Sequence, residues 1–60
     1  MTIIAKTIKE AVQNLNKIYE NDFQIDGNNV IEYDNEKEKS IEWGYEEKKD
    51  QGKTKFFFYS

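Results

Sequence analysis

One stretch of the chain carries a clear helical pattern. Residues 7–20, TIKEAVQNLNKIYE, place apolar side chains three, four and seven positions apart along one side of a helix: Ile8, Ala11, Val12, Leu15, Ile18 and Tyr19. The polar side chains of the stretch fall on the opposite side. A lone amphipathic helix has nothing to bury its apolar side against, so the rest of the chain is expected to supply that surface.

The start of this helix is open to more than one interpretation. Thr7 followed by Glu10 forms a capping box, which favours a helix that starts at residue 7. Ile4, however, lies one helical turn before Ile8, and Thr2 could be the N-cap of a longer helix. Residues 1–6 could also form a short strand. Of these interpretations we favour the longer helix.

A hairpin is expected after the helix. Residues 22–26 alternate polar and apolar side chains, and the run Asp26-Gly27-Asn28-Asn29 that follows is rich in residues that tolerate positive φ. Residues 29–34 supply the return strand. This pattern is typical of two antiparallel strands joined by a tight turn.

Two further strands complete the expected sheet. Residues 40–46 alternate most regularly and are expected to be central. Residues 48–53 predict a second hairpin loop before a last strand at residues 54–59. We therefore expect residues 1–60 to form a single α+β domain, with one N-terminal amphipathic helix packed on a three- to four-stranded antiparallel β-meander.

Strand alternation predicts an acidic side of the sheet. Ile41, Trp43 and Tyr45 are expected to face the helix, because they alternate with polar residues. The opposite side would then carry acids from this strand and from its neighbour: Glu42, Glu46, Glu32 and Asp34. Carboxylates at alternate positions of a strand repeat every ~6.7 Å, so they can form an ordered row that suits a basic groove.

The last strand has aromatic side chains on both sides. If Phe56 and Phe58 face the helix, Phe57 and Tyr59 stay exposed unless another chain covers them. Four lysines surround this strand: Lys48, Lys49, Lys53 and Lys55. Lysines beside aromatic rings can bind single-stranded nucleic acid. The acidic middle of the chain repels phosphates, which argues against this binding. We prefer the interpretation that the lysines prevent an edge strand from aggregating, because that role needs no partner.

Charge is segregated along the sequence. Residues 20–47 carry ten acidic side chains against two lysines, a net charge of −8, whereas residues 1–19 carry +2 and residues 48–60 carry +3. Every cationic side chain is lysine, which indicates an AT-rich coding sequence and a low-GC bacterium or its phage. A soluble protein of the cytoplasm is expected, because the sequence has no cysteine, no signal-peptide pattern and no apolar run long enough to span a membrane.

Catalysis and metal binding are not expected. The chain has no histidine and no cysteine, and its two serines are Ser40 and Ser60, so the usual nucleophiles and bases are missing. The run from Asp22 to Gly27 begins like a calcium-binding loop. Position 3 is Gln24 and position 12 is Tyr33, however, and neither supplies the required carboxylate. We therefore expect no catalytic residue, no metal and no cofactor.

The acidic stretch from Glu20 to Glu47, together with the small size and the lack of cysteine, gives a resemblance of type. The chain resembles the small acidic inhibitors that phages encode against host defence, the anti-CRISPR proteins and other DNA mimics. The resemblance implies stoichiometric blocking of a nuclease or effector surface without catalysis.

These observations lead to one hypothesis and two alternatives. The hypothesis is a protein-binding inhibitor whose acidic sheet side blocks a basic, nucleic-acid-handling surface. The residues expected to bind the partner are Glu32, Asp34, Glu42 and Glu46, with Tyr33, Phe57 and Tyr59 as apolar anchors. The first alternative is a self-assembling module that forms a homodimer through the last strand. The second is a single-stranded nucleic-acid binder.

Overall fold

The computed structural model covers residues 1–60 and contains one helix and five strands. In chain order they are β1 (Thr2–Ile4), α1 (Ile8–Ile18), β2 (Asp22–Asp26), β3 (Asn29–Asp34), β4 (Lys39–Asp50) and β5 (Lys53–Tyr59). The strands form one antiparallel sheet in the order β1-β5-β4-β3-β2. The predicted α+β class, with a helix on an antiparallel sheet, is confirmed, and β4 is central as expected.

The sheet has one strand more than the upper limit of the prediction. The additional strand is β1, and the longer helix favoured from the sequence is wrong. β1 covers the outer edge of β5, where Ile3 pairs with Phe56 and the Ala5 N–H donates to the Thr54 carbonyl at 3.1 Å. Strand pairing satisfies backbone groups along that edge of β5, which a longer helix would leave without partners. The helix is therefore preceded by a strand.

The helix begins where the capping box predicts. Thr7 is the N-cap, and its Oγ1 accepts a hydrogen bond from the Glu10 N–H at 3.2 Å. The middle of the apolar side is buried, with Ala11 and Leu15 fully covered. The last turn is not, since Ile18 is 62% exposed. No helix of the protein is both long and apolar enough to span a bilayer.

Asn16 fixes the helix to the outer edge of β2. The Phe23 N–H donates to Asn16 Oδ1 at 2.7 Å, and Asn16 Nδ2 donates to the Phe23 carbonyl at 3.1 Å. The side-chain amide thus bonds to both backbone groups of Phe23, as a residue of a neighbouring strand would. At this point the backbone hydrogen-bonding groups at the edge of the sheet are satisfied by a side chain of the helix instead of by a sixth strand.

The core lies between α1 and one side of the sheet. Its largest fully buried side chains are Phe56, Leu15 and Val30. The ring of Tyr45 packs at a tilt against Phe56 and Phe58, with centroid distances of 6.1 and 6.0 Å. Burial of these aromatic rings is the main favourable contribution to a fold of this length.

Two tight turns set the strand registers. Gly27 and Asn28 join β2 to β3, and Gly27 has φ of +59°. Gln51 and Gly52 join β4 to β5 with φ of +53° and +78°, as a type I′ turn requires. The second turn is shorter than the expected loop at residues 48–53, so β4 and β5 continue almost to its tip.

β4 has different neighbours along its length. Residues 39–43 pair with β3, and residues 44–50 pair with β5. Because β3 and β5 flank opposite halves of β4, the molecule is elongated, with a longest dimension of 39 Å. The acidic β3–β4 loop therefore lies at one end and the lysine-rich β4–β5 hairpin at the other.

Candidate functional site

The side of the sheet away from α1 is called here the open face. Phe56 and Phe58 are buried toward the helix, so Phe57 and Tyr59 point to the open face. Directly paired residues share a side, which assigns the rest of the face from the register. Its main members are Ile4, Ile31, Tyr33, Glu42, Gly44, Glu46, Lys48, Lys55, Phe57 and Tyr59.

The Tyr59 ring rests on Gly44 at the middle of the open face. A Cβ at Gly44 would lie 2.7 Å from Cε1 and Cζ of Tyr59 and 2.9 Å from its hydroxyl oxygen. Only glycine lets the ring come this close to the β4 backbone. Tyr59 nevertheless remains 55% exposed, so its outer surface is available to a partner.

Phe57 lies beside Tyr59 and is bordered by lysines. Lys48 Nζ is 5.4 Å from the centroid of the Phe57 ring, within the range of a cation–π contact. Lys55 pairs across the hairpin with Asp50, at 3.9 Å between Nζ and Oδ2. The aromatic pair, in which Tyr59 is exposed and Phe57 half-buried, thus has cationic side chains on the side toward the β4–β5 turn.

Two exposed carboxylates on β4 lie on either side of the position where Tyr59 rests. Glu46 is directly opposite Phe57, and Glu42 is opposite Ile31 on β3. Four residues of strand separate the two acids, a Cα distance of about 13 Å. The one ion pair of the structure joins Lys55 to Asp50, so neither Glu42 nor Glu46 has a cationic partner.

Tyr33 shares the open face but is separate from the other anchors. It pairs with Ser40, two strands and four positions away from Tyr59, so their Cα atoms are about 16 Å apart. Tyr33 is 42% exposed and lies beside Ile31. Five of the seven residues expected to bind a partner are therefore on one face, in two groups.

The expected position of Glu32 and Asp34 on that face is wrong. The β2–β3 turn places Ile25 opposite Val30, and Val30 is fully buried against the helix. Strand alternation then puts Glu32 and Asp34 on the helix side as well. The sequence alone favoured the other assignment, because β3 has Ile31 and Tyr33 on one side against Val30 on the other.

Both displaced acids make structural hydrogen bonds. Glu32 accepts from Trp43 Nε1 at 3.0 Å through one oxygen and from Asn21 Nδ2 at 2.8 Å through the other. Asp34 Oδ1 accepts from the backbone N–H groups of Glu36 and Lys37, at 3.0 and 3.2 Å. These bonds hold the sheet to the segment after the helix and stabilise the β3–β4 loop.

A shallow depression at the acidic end gathers acids that are distant in sequence. Its lining includes Glu20, Glu32, Asp34 and Glu36 together with Lys37. The approach of Glu20 to the β3–β4 loop was not predicted, because it depends on the fold and not on local spacing. No group of three or more acidic side chains converges closely enough to hold a metal ion.

Of the four aromatic side chains of the last strand that could stack on single-stranded nucleic acid, only Phe57 and Tyr59 reach the open face. Phe56 and Phe58 belong to the core and cannot stack on bases. Phe57 remains on the open face with Lys48 and Lys55. Lys49 pairs with Thr54 on the helix side, away from this cluster.

The chain was compared with family models, with curated proteins and with solved structures, and none of them matches it.

Proposed function

We propose that the protein is a non-enzymatic, protein-binding inhibitor that docks its open face against a basic surface of another protein. The observation that carries this proposal is the aromatic pair of exposed Tyr59 and half-buried Phe57: Tyr59 lies between the unpaired carboxylates of Glu42 and Glu46, and Phe57 lies beside Glu46. Catalysis has no part in this activity.

The composition of the face supports a docking role. Aromatic side chains are enriched where alanine substitution costs most binding energy, because they bury a large area with few rotatable bonds. Tyr59 is further ordered by its contact with Gly44 before any partner arrives. Less side-chain freedom is then lost on binding, which favours affinity.

The charges support a basic partner. Glu42 and Glu46 border the aromatic pair and would meet lysine or arginine side chains at the rim of the partner surface. Glu32 and Asp34 lie on the other side of the sheet, and their charge adds to the negative potential of the acidic end. Such a potential steers a basic surface toward the face and raises the association rate.

Basic surfaces of this kind are typical of nucleic-acid-handling proteins. The resemblance to phage inhibitors extends the proposal to a nuclease or effector complex of host defence. One copy of the protein would occupy the surface that nucleic acid needs.

A capture experiment with matched variants tests this proposal. Tagged protein is immobilised at low density and exposed to a cytoplasmic extract of a low-GC bacterium, the source and compartment expected from the sequence. The test variant is Glu42→Gln with Glu46→Gln. The control is Glu36→Gln with Glu38→Gln, which removes the same charge from the exposed β3–β4 loop.

The expected result is a single stoichiometric protein that binds the wild type and the control variant, and that is lost from the test variant and at high salt. The captured protein should also lose its own nucleic-acid binding when the inhibitor is added. Equal capture by both variants, or capture that is indifferent to salt, would contradict a role for the open face.

A further inference from the structure

We infer that the open face is self-complementary, and that two copies of this chain pack open face to open face about a two-fold axis. This inference takes from the proposed function the identity of the binding surface. It adds a second copy as a competing occupant, which covers the face until a target displaces it.

The first argument is the order of charges around the aromatic pair. Along β4 the open face presents Glu42, then Gly44 beneath Tyr59, then Glu46 beside Phe57, then Lys48. Lys55 lies directly beside Lys48. The aromatic centre therefore has a carboxylate on one side and two ammonium groups on the other.

The second argument is what a two-fold axis does to this order. An axis that lies between the two sheets and crosses the strands near Tyr59 and Phe57 reverses the direction of β4 in the second copy. Glu42 of each copy then faces Lys48 and Lys55 of the other, and the aromatic pairs meet at the centre. A stack with parallel strands would instead bring like charges together.

The charge at the centre is balanced, which a second copy requires. Glu42, Glu46, Lys48 and Lys55 carry two negative and two positive charges, and Asp50, which pairs with Lys55, is balanced by Lys53 on the same face. The overall charge of −3 on each copy is therefore concentrated elsewhere. Ile4 is 56% exposed and pairs with Lys55, diagonal to Phe57, so it extends the apolar surface to β1. The interface would thus have an aromatic core and a rim of opposite charges.

The size of the face is sufficient. The molecule measures 39 Å by 20 Å along its two longer axes, so a face of this outline is at most roughly 800 Å², which is the area that each partner contributes to a standard interface. The staggered strands leave the corners of this rectangle empty, so the dimer is expected to be weak. Weak self-association suits a face that must open for a target.

Charge reversal tests the arrangement. The first variant is Glu42→Lys, and the second is Lys48→Glu with Lys55→Glu. Either variant alone brings like charges together at both symmetric contacts, so its self-association should weaken at least about tenfold. An equimolar mixture restores opposite charges at both contacts and should form a heterodimer. Glu36→Lys, a reversal in the β3–β4 loop, is the control and should leave the dimer intact.

Sedimentation equilibrium of the purified proteins reports each outcome, with circular dichroism to verify folding. A wild type that remains monomeric up to millimolar concentration overturns the inference. A wild-type dimer with a mixture that stays monomeric also overturns it, because the dimer must then use another surface. No target is present in this experiment, so neither of these results bears on the proposed inhibitor activity, which the capture experiment decides. Likewise, a negative capture experiment does not bear on the dimer.

Discussion

Tyr59 and Gly44 should be energetically coupled, and a double-mutant cycle can measure the coupling. Slightly less than half of the Tyr59 surface is covered, since 55% is exposed. For a side chain of about 200 Å² this is roughly 90 Å², and its burial contributes about 2 kcal/mol. Tyr59→Ala should therefore lower the free energy of unfolding by about 2 kcal/mol.

Gly44→Ala should remove the same contact from the other side. The new Cβ would lie 2.7 Å from the ring, so the ring must move away from β4. Alanine also restricts the unfolded chain, which raises the free energy of unfolding by about 0.5 kcal/mol. The net effect of Gly44→Ala is therefore a loss of about 1.5 kcal/mol. In the Gly44→Ala background Tyr59→Ala should cost almost nothing instead of about 2 kcal/mol, which gives a coupling energy of about 2 kcal/mol.

Urea unfolding of the four proteins gives these values, at a concentration low enough to keep the chain monomeric. Gly27→Ala serves as a control, because a Cβ there meets no other atom, and its cost should not change with Tyr59. Additive effects of Gly44→Ala and Tyr59→Ala would refute the claim that the ring is held against β4. The ordered anchor of the proposed site would then be lost.

Three further predictions concern the scaffold that holds the face. Leu15→Ala should cost about 3 kcal/mol, because Leu15 is fully buried, and thermal melts should show most of the stability of a domain this small to be lost. Asn16→Ala removes both hydrogen bonds to Phe23 and should cost about 1–2 kcal/mol. Asn16→Asp keeps only the acceptor, so its melting temperature in the same melts should lie between those of the wild type and Asn16→Ala. Glu32→Gln leaves one acceptor oxygen for two donors and should cost about 1 kcal/mol in urea unfolding, with a changed fluorescence maximum of Trp43.

Local patterns predicted the parts of the fold that depend on neighbouring residues. The N-cap at Thr7 and the strands at residues 22–26 and 29–34 lie where the sequence indicated. β1 could not be identified in this way, because its partner is β5, more than 50 residues away. Thr2, Ile3 and Ile4 fit a strand or a helix equally well, and pairing with β5 decides between them.

The candidate site was only partly predictable for a related reason. Two of the four acids lie on the open face, and the error in the other two comes from one choice of side in β3. The tight turn at Gly27 and Asn28 fixes that side, because it pairs Ile25 with the buried Val30. Counting apolar residues in β3 alone places Glu32 and Asp34 on the open face. Considering β3 together with its turn places them on the helix side, as observed.

The elongated shape gives the charge pattern a consequence that composition alone does not. The acidic β3–β4 loop and the lysine-rich β4–β5 hairpin lie at opposite ends of a 39 Å molecule, so two copies could attract each other end to end. Such a contact is heterologous and leaves both outer ends free, so it continues to add copies. The two-fold contact through Tyr59 and Phe57 instead pairs Glu42 with Lys48 and Lys55 within a closed dimer. Average mass as a function of concentration separates these cases, because it levels off at two copies for the closed dimer and keeps rising for an open chain.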